Sequence, residues 1–452
     1  MLGRCVLSRP RHHWLRLRNL KVQSSLHHRT VTNISTTRVP IHQKQHHVTS
    51  VPRQRRAFFT DAIPTVLLPP TIFTALLLAL WTWKCFWIVV MQDKLLYIAW
   101  LPPFARSEKI ADYEAQCGPV QWEEKQIRSL DGTKLAVCEG RMKTPSASHA
   151  DTTATTIPRH SNQETVAKRK KRIVICYFQG NGGSTPLRLP LLSDTLRTVT
   201  SASEDDHVEY IVAALSYRGY WTSSGRATQS GIELDAQAFL AWVSKTYVEP
   251  DTDLRMILWG HSLGSAVAST ALATYLACQG GGGPSVPMPK EDGDQAGVVP
   301  ITGLVMETPT SSTKDMLISL YPQKWLPYRY LWPFLWNNWD ISVALERMAE
   351  WRDQCRSREA EMKQGGFGEQ TAVLGSGTAK PRPMTCSPPP ILMLSAEKDE
   401  VIPPHAADQL EADARRLKLV LQRRHVAGAM HTEALVKVGG KRAMMGFLLT
   451  ST

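Results

Sequence analysis

The chain has 452 residues, room for one large domain with appendages. Its formal charge of +13 would point to nucleic acid, yet residues 1–60 hold 12 Lys and Arg and no Asp or Glu, leaving 41 basic against 40 acidic residues beyond them. A neutral body removes the main support for nucleic-acid binding, and eight scattered cysteines with no C-x-x-C pair argue against a disulfide framework or a zinc site.

The first sixty residues are rich in Arg, Ser, Thr and His. That is the composition of a mitochondrial transit peptide, with "RRAFFT", Arg55 to Thr60, suited to processing near its end; a basic tail on the cytosolic side of a membrane fits equally. The pairs His12-His13, His27-His28 and His46-His47 have no acid or cysteine beside them and read as solvated tail, not as a metal site. Next comes an apolar stretch in which the 21 residues from Thr71 to Met91 carry one charge, Lys84. It predicts a transmembrane helix over 65–91, since a buried core helix would show a polar stripe. Trp81, Trp83 and Trp87 suit an interfacial belt or a packed face. The charge bias around this helix keeps the N-terminus on the cytosolic or matrix side and sends residues 92–452 across, giving a single-pass protein of the mitochondrial inner membrane or the endomembrane system.

From Gln92 onward, strands alternate with helices, the pattern of a doubly wound α/β sheet. "VQWEEKQIRSLDGTKLAVCEG" predicts a hairpin around Asp131-Gly132. "RIVICYFQG", "EYIVAALSY", "LRMILWG", "ITGLVMET" and "PPILMLSAEKD" predict buried parallel strands. "GIELDAQAFLAWVSKTY" and "HAADQLEADARRLKLVLQ" predict helices. Polar or Gly/Pro-rich stretches at 143–171, 278–300 and 356–389 interrupt the rhythm and are expected to be surface insertions or disordered loops.

The run "MILWGHSLGSAVASTALATYL" changes from strand-like to helical at Gly260-His261-Ser262-Leu263-Gly264. A serine on such a turn projects its hydroxyl from the sheet edge, and the helix N-terminus aims free N–H groups at any oxyanion formed there. The chain then has to supply an upstream donor, a downstream acid and a histidine. Upstream, "RIVICYF" runs into Gln179-Gly180-Asn181-Gly182-Gly183, with no G-K-[ST] to make a nucleotide site; Asn181 and Leu263 are the expected oxyanion donors. Downstream, Asp399 ends a strand and precedes Val401-Ile402-Pro403. Taken alone it would be a solvated loop acid beside Glu397 and Glu400. His431, on the small-residue loop of "VAGAMHTEALV", is preferred as the base over His425, which follows Arg423-Arg424 in a strand-like run.

In this order the residues resemble the α/β-hydrolase superfamily, and within it the membrane-anchored, Bem-like branch. Gln92-Asp93-Lys94-Leu95-Leu96-Tyr97, "YRGYWTSSG", "METPTSSTKDM" and "YPQKWLPYRYLW" add to that resemblance. It covers about 92–450 outside the insertions. It implies an α/β-hydrolase fold with a mostly parallel sheet and a small lid insertion in the aromatic stretch from Asp315 to Asp340. It also implies a Ser262–His431–Asp399 triad acting on an ester, thioester or lipid acyl bond without metal or organic cofactor. Gln179 stands where the branch usually has His, and Trp221 where it often has Gly. A hydrolase-like scaffold that binds a partner at the membrane, and a peptidase, are the competing readings.

Overall fold

The computed structural model describes residues 64–143, 169–279, 298–364 and 386–451. The basic tail and most of the three expected insertions lie outside the described residues. The chain divides into two units, Met1–Leu68 and Pro69–Thr452. The described part of the first is a single 3₁₀ turn, Thr65–Leu67, and the start of helix α1 (Leu68–Val90). Pro69 and Pro70 fall in the first turn of α1, where no intrahelical donor is lost.

In chain order α1 is followed by α2 (Gln92–Leu96), α3 (Glu114–Cys117), β1 (Val120–Arg128), β2 (Lys134–Met142) and β3 (Lys170–Phe178). Then come α4 (Leu189–Ala202), β4 (Val208–Ser216), α5 (Gln229–Tyr247), β5 (Thr252–His261), α6 (Leu263–Gln279) and β6 (Ile301–Glu307). The chain closes with α7 (Thr313–Leu320), α8 (Ile341–Gln364), β7 (Ile391–Ala396), α9 (Pro404–Arg416), β8 (Leu421–Val426) and α10 (Val438–Thr450). The strands form one eight-stranded sheet in the order β1-β2-β4-β3-β5-β6-β7-β8. The β1–β2 and β2–β4 pairs are antiparallel and all others parallel. Parallel neighbours require crossover helices on the sheet faces, so the central strands are covered on both sides and read as continuous apolar runs. β3 shows it: Val174, Cys176 and Phe178 belong to one core and Ile173, Ile175 and Tyr177 to the other.

Two boundaries differ from the sequence expectation. Helix α8 continues to Gln364, into the stretch from 356 expected to be irregular, because Arg356, Arg358, Glu359 and Glu361 are good helix formers that extend its pattern. The helix expected through Gln422 stops at Arg416, where Lys418 turns left-handed (φ 54°) and Arg352 Nη1 donates to the carbonyls of Leu417 (2.8 Å) and Lys418 (3.1 Å). The remaining residues become β8, pairing with β7.

A buried ion pair ties the hairpin to the loop after β4. Arg218 donates from Nη2 to Asp235 Oδ1 (2.7 Å) and to Ser129 Oγ (3.1 Å), and from Nη1 to Asp131 Oδ2 (2.7 Å). The Arg218 N–H also donates to Asp235 Oδ2 (3.0 Å). Asp235 is fully buried, so removing it strands a guanidinium without its main partner. We predict that Asp235→Ala lowers stability by about 3–5 kcal/mol, read by chemical denaturation of the detergent-solubilised protein. A loss below about 1 kcal/mol would show that solvent screens the pair.

Candidate active site

The chemistry-bearing loops all leave the carboxyl ends of the parallel strands, where an open α/β sheet places its ligands. Ser262 stands between β5 and α6 with φ 51°, a left-handed conformation rare for a residue with a side chain. Close packing imposes it. A Cβ on Gly260 would lie 2.2 Å from the Gly264 carbonyl oxygen, and one on Gly264 would lie 2.0 Å from that of Phe178. The two glycines let helix α6 start directly against β3 and β5. The Ser262 N–H donates to the Glu307 carbonyl (2.8 Å) and Ser265 Oγ to the Gly260 carbonyl (2.9 Å), which holds the turn from both sides. Leu263 is the first residue of α6, so its N–H has no carbonyl in a preceding turn.

Asp399 follows β7 by three residues. Its Oδ1 accepts the N–H groups of Val401 (3.0 Å) and Ile402 (2.7 Å), and both oxygens lie 3.0 Å from His431 Nδ1. Burial works to raise the Asp399 pKa, but the His431 ring and those two N–H groups outweigh it and hold the carboxyl below its ordinary value. The acid therefore stays ionised. An Nδ1–H directed at the carboxylate leaves Nε2 as the basic nitrogen. His431 is itself buried, and its N–H donates to Glu400 Oε2 (3.0 Å). Its ring lies 5.3 Å from that of His261, the residue before the serine. Among the described residues no hydrogen bond joins the Ser262 hydroxyl to the His431 ring. Catalytic hydrogen bonds are often long in ligand-free sites. His425 sits exposed on β8 with its ring 3.4 Å from Ser395 Oγ.

Asn181 lies in the glycine-rich loop after β3. Its Oδ1 accepts the Ile98 N–H (3.1 Å) and the Tyr220 hydroxyl (3.1 Å), so the loop is braced from the segment after α2 and from the loop after β4. Gln179 turns inward: its Oε1 accepts the Thr185 hydroxyl (2.7 Å), and its carbonyl accepts the Tyr217 hydroxyl (2.9 Å). Trp221 has φ 40°, which is why glycine suits this position, and it is buried with its indole N–H on the Glu108 carbonyl (2.7 Å). A cleft of about 560 Å³ opens over the loop, lined by Gly180, Asn181, Gly182, Leu187, Leu101 and, next to His431, Thr432.

Beneath the serine lies a buried polar group to which sequence reading assigned no role. Glu307, fully buried at the end of β6, accepts the Trp259 indole N–H (3.0 Å) on Oε2, while its Oε1 and the Tyr177 hydroxyl have no hydrogen-bond partner among the described residues. Arg188 Nη2 lies 3.1 Å from His261 Nδ1. Burial, then the charges of Arg188 and His431, push the His261 pKa far down, so this ring is neutral. Burial pushes Glu307 up to about 7, only partly offset by Arg188, the Trp259 N–H and His431. The available signal was an acid at the end of an otherwise apolar strand, "ITGLVMET".

A family model for the alpha/beta hydrolase family matches residues 182–438. The chain belongs to the α/β-hydrolase family. It is 22% identical over 235 residues to Protein bem46 of Schizosaccharomyces pombe, covering 52% of this chain and 54% of that protein, in agreement with the resemblance to the Bem-like branch. It is 27% identical over 182 residues to the alpha/beta hydrolase domain-containing protein WAV2 of Arabidopsis thaliana, covering 40% and 47%. The chain thus spans about half the length of the curated relatives it matches. Among solved structures it is similar to an alpha-beta hydrolase from Vibrio vulnificus (TM-score 0.45, 13% identity, covering 80% of this chain and 92% of that one). It is also similar to the Pyrococcus furiosus esterase Pf2001 (TM-score 0.40, 13% identity, covering 73% and 89%).

The position of Glu307 in this α/β-hydrolase sheet carries a pH dependence. The folded chain holds the Glu307 proton more tightly than the unfolded chain, whose carboxyl titrates near the ordinary 4.5. Between pH 4.5 and about 7 the unfolded state therefore binds fewer protons, and stability falls as pH rises through that window. We predict that Glu307→Gln, which keeps an acceptor for Trp259, removes a decline of roughly 3 kcal/mol. Denaturant titrations across the window measure it, and an unchanged slope in the variant would show that Glu307 is not the group responsible.

Proposed function

We propose that the protein is a membrane-anchored serine hydrolase that cleaves an ester, thioester or lipid acyl bond. The observation that carries this reading is the arrangement at one sheet edge: a serine held left-handed at the mouth of α6, and a buried histidine whose Nδ1 lies 3.0 Å from an ionised aspartate. In the proposed reaction Ser262 Oγ passes its proton to His431 Nε2 as it attacks the acyl carbonyl carbon. Asp399 keeps His431 in the required tautomer and stabilises the imidazolium. The carbonyl oxygen becomes an oxyanion that accepts the N–H groups of Leu263 and Asn181. Collapse expels the alcohol, thiol or lysolipid, which takes the proton from His431. Water, deprotonated by the same ring, then attacks the acyl-Ser262 ester and releases the acid. Leu101 and Leu187 give the cleft apolar walls suited to an acyl chain.

Anchoring is supported by α1. Among the described residues one helix, Thr65–Val90, is long and apolar enough to cross a membrane by length and composition. Ile72, Phe73, Leu76, Leu78 and Leu80 on it are all exposed. In water that would be a large unfavourable apolar surface; in hydrocarbon it has a solvent. We propose residues 1–60 as tail or transit peptide, 65–91 as the span, and 92–452 as the hydrolase domain beyond it.

Ser262→Ala is expected to abolish labelling by a serine-reactive fluorophosphonate and turnover of a p-nitrophenyl ester without loss of fold. Asp399→Asn is expected to slow turnover by about four orders of magnitude, His431→Ala at least as much, and His425→Ala hardly at all. Full activity of Ser262→Ala would overturn the nucleophile assignment, and an inactive His425→Ala the choice of base. Protease protection tests the orientation: the hydrolase domain is expected to resist digestion in sealed organelles with the cytosolic face outward. Its digestion there would refute translocation of that domain.

A further inference from the structure

The segment between β6 and α8 is built from α7, two 3₁₀ turns, Pro327–Tyr330 and Trp332–Phe334, and the links between them. Its apolar side chains divide into two sets. Leu317, Tyr328 and Leu331 turn inward and form a small core against Trp81, Cys85, Ile88 and Val89 of α1. Trp325, Phe334 and Trp336 turn outward and are 67%, 61% and 56% exposed. Among the described residues these three side chains stay largely exposed.

We infer that residues 313–339, together with the last third of α1, form one surface that seats in the headgroup interface of a lipid bilayer. The inference rests on the reading of α1 as a membrane span. Helix length argues for this occupant. The helix has 26 residues, about 39 Å at 1.5 Å each, against a hydrocarbon core near 30 Å. About six residues are therefore surplus, and the inner set of the segment packs on Trp81, Cys85, Ile88 and Val89, at the end of α1 next to the domain. Trp325 sits there too, its ring 6.1 Å from that of Trp81.

Charge argues the same way. Lys84, the single charge of the span, points its ammonium at the Tyr328 ring (4.3 Å to the centroid) and the Tyr321 ring (6.0 Å), so the aromatic segment shields it from hydrocarbon. The segment itself carries Lys314, Lys324 and Arg329 against one acid, Asp315. Three cations against one acid leave the segment net basic, and with its outward tryptophans it is matched to anionic headgroups.

Hydrogen bonds tie the segment to α2, the short helix that follows α1. Gln92 Oε1 accepts the N–H groups of Trp336 (2.9 Å) and Asn337 (3.3 Å), and its Nε2 donates to the Phe334 carbonyl (3.2 Å). Asp93 Oδ1 accepts Asn337 Nδ2 (2.6 Å) and the Trp336 indole N–H (3.0 Å). Whatever depth α1 takes, these bonds set the depth of the segment.

The test uses the full chain in phosphatidylcholine–phosphatidylserine vesicles, with Cys5→Ser, Cys85→Ala, Cys278→Ser and Cys386→Ser as the parent, which removes every free thiol that is not fully buried among the described residues. Nitroxide labels are placed singly at Trp325→Cys and Phe334→Cys, with Leu76→Cys as the reference inside the span and Val420→Cys, exposed just before β8, as the reference in water. Each label is read by its relaxation with oxygen against a water-soluble nickel chelate. The expected result is an oxygen-to-nickel ratio at 325 and 334 raised above that at 420 and below that at 76. Water-like ratios at 325 and 334 with a lipid-like ratio at 76 would overturn the inference and leave the anchor standing. Labels shielded from both reagents would mean that a second copy or another protein covers the face, which overturns it as well. A water-like ratio at 76 would remove the anchor and the inference together.

Discussion

The contact on which the site depends is the meeting of three backbones at Gly260, Gly264 and Phe178. Neither glycine has room for a methyl group, so α6 begins where β3 and β5 end, with no intervening loop. That closeness leaves Ser262 only a left-handed conformation, with its hydroxyl lifted off the sheet and the first N–H of α6 beside it. Backbone strain of this kind costs about 1–3 kcal/mol and persists only where the surroundings over-determine it. Here the Glu307 carbonyl holds Ser262 from one side and the Gly260–Ser265 bond holds the turn from the other.

The same crowding explains the polar layer beneath the proposed nucleophile. His261, Glu307, Trp259 and Tyr177 all lie at the carboxyl ends of central strands, shut off from solvent by the helices on both faces. Burial favours the neutral forms of His261 and Glu307, so the layer presents dipoles to the site, with Arg188 as the charge bearing on both. Asp399 differs because its oxygens are met by two backbone N–H groups and an imidazole, and it remains an anion. Two carboxyls at one sheet edge are thus shifted in opposite directions, Asp399 below its ordinary value and Glu307 up to about 7.

The residues that follow α1 join the apolar helix to the site. Gln92 and Asp93 hold the segment before α8, the Tyr97 hydroxyl donates to Asn337 Oδ1 (2.9 Å) and accepts the Trp339 indole N–H (2.8 Å), and the next residue donates to the Asn181 side chain (3.1 Å). Ile98, which meets the loop proposed to bind the oxyanion, lies only a few residues of chain beyond Val90, the end of the apolar helix. Leu101 then lines the cleft. The α/β-hydrolase sheet and its apolar helix are therefore one mechanical unit around this stalk.

Much of this was legible in the residues themselves. Apolar runs bounded by turn residues marked the parallel strands, because strands covered on both faces have no polar alternation to disguise them. Gly260-His261-Ser262-Leu263-Gly264 marked the strand-to-helix turn, because two glycines around a serine meet a local steric need. The strand-like character of the run around His425 and the loop setting of His431 were local as well, and β8 and the turns after it have those characters. What sequence could not supply was distance between loops far apart in the chain. The contact of Asp399 with His431, the burial that pushes Glu307 up to about 7, and the left-handed backbone at Trp221 arise from packing across the sheet, not from neighbours in the chain. In the sequence the stretch from Asp315 to Asp340 was marked only as aromatic, and the fold, by placing α1 against Leu317, Tyr328 and Leu331, divided its side chains between a small core and the surface.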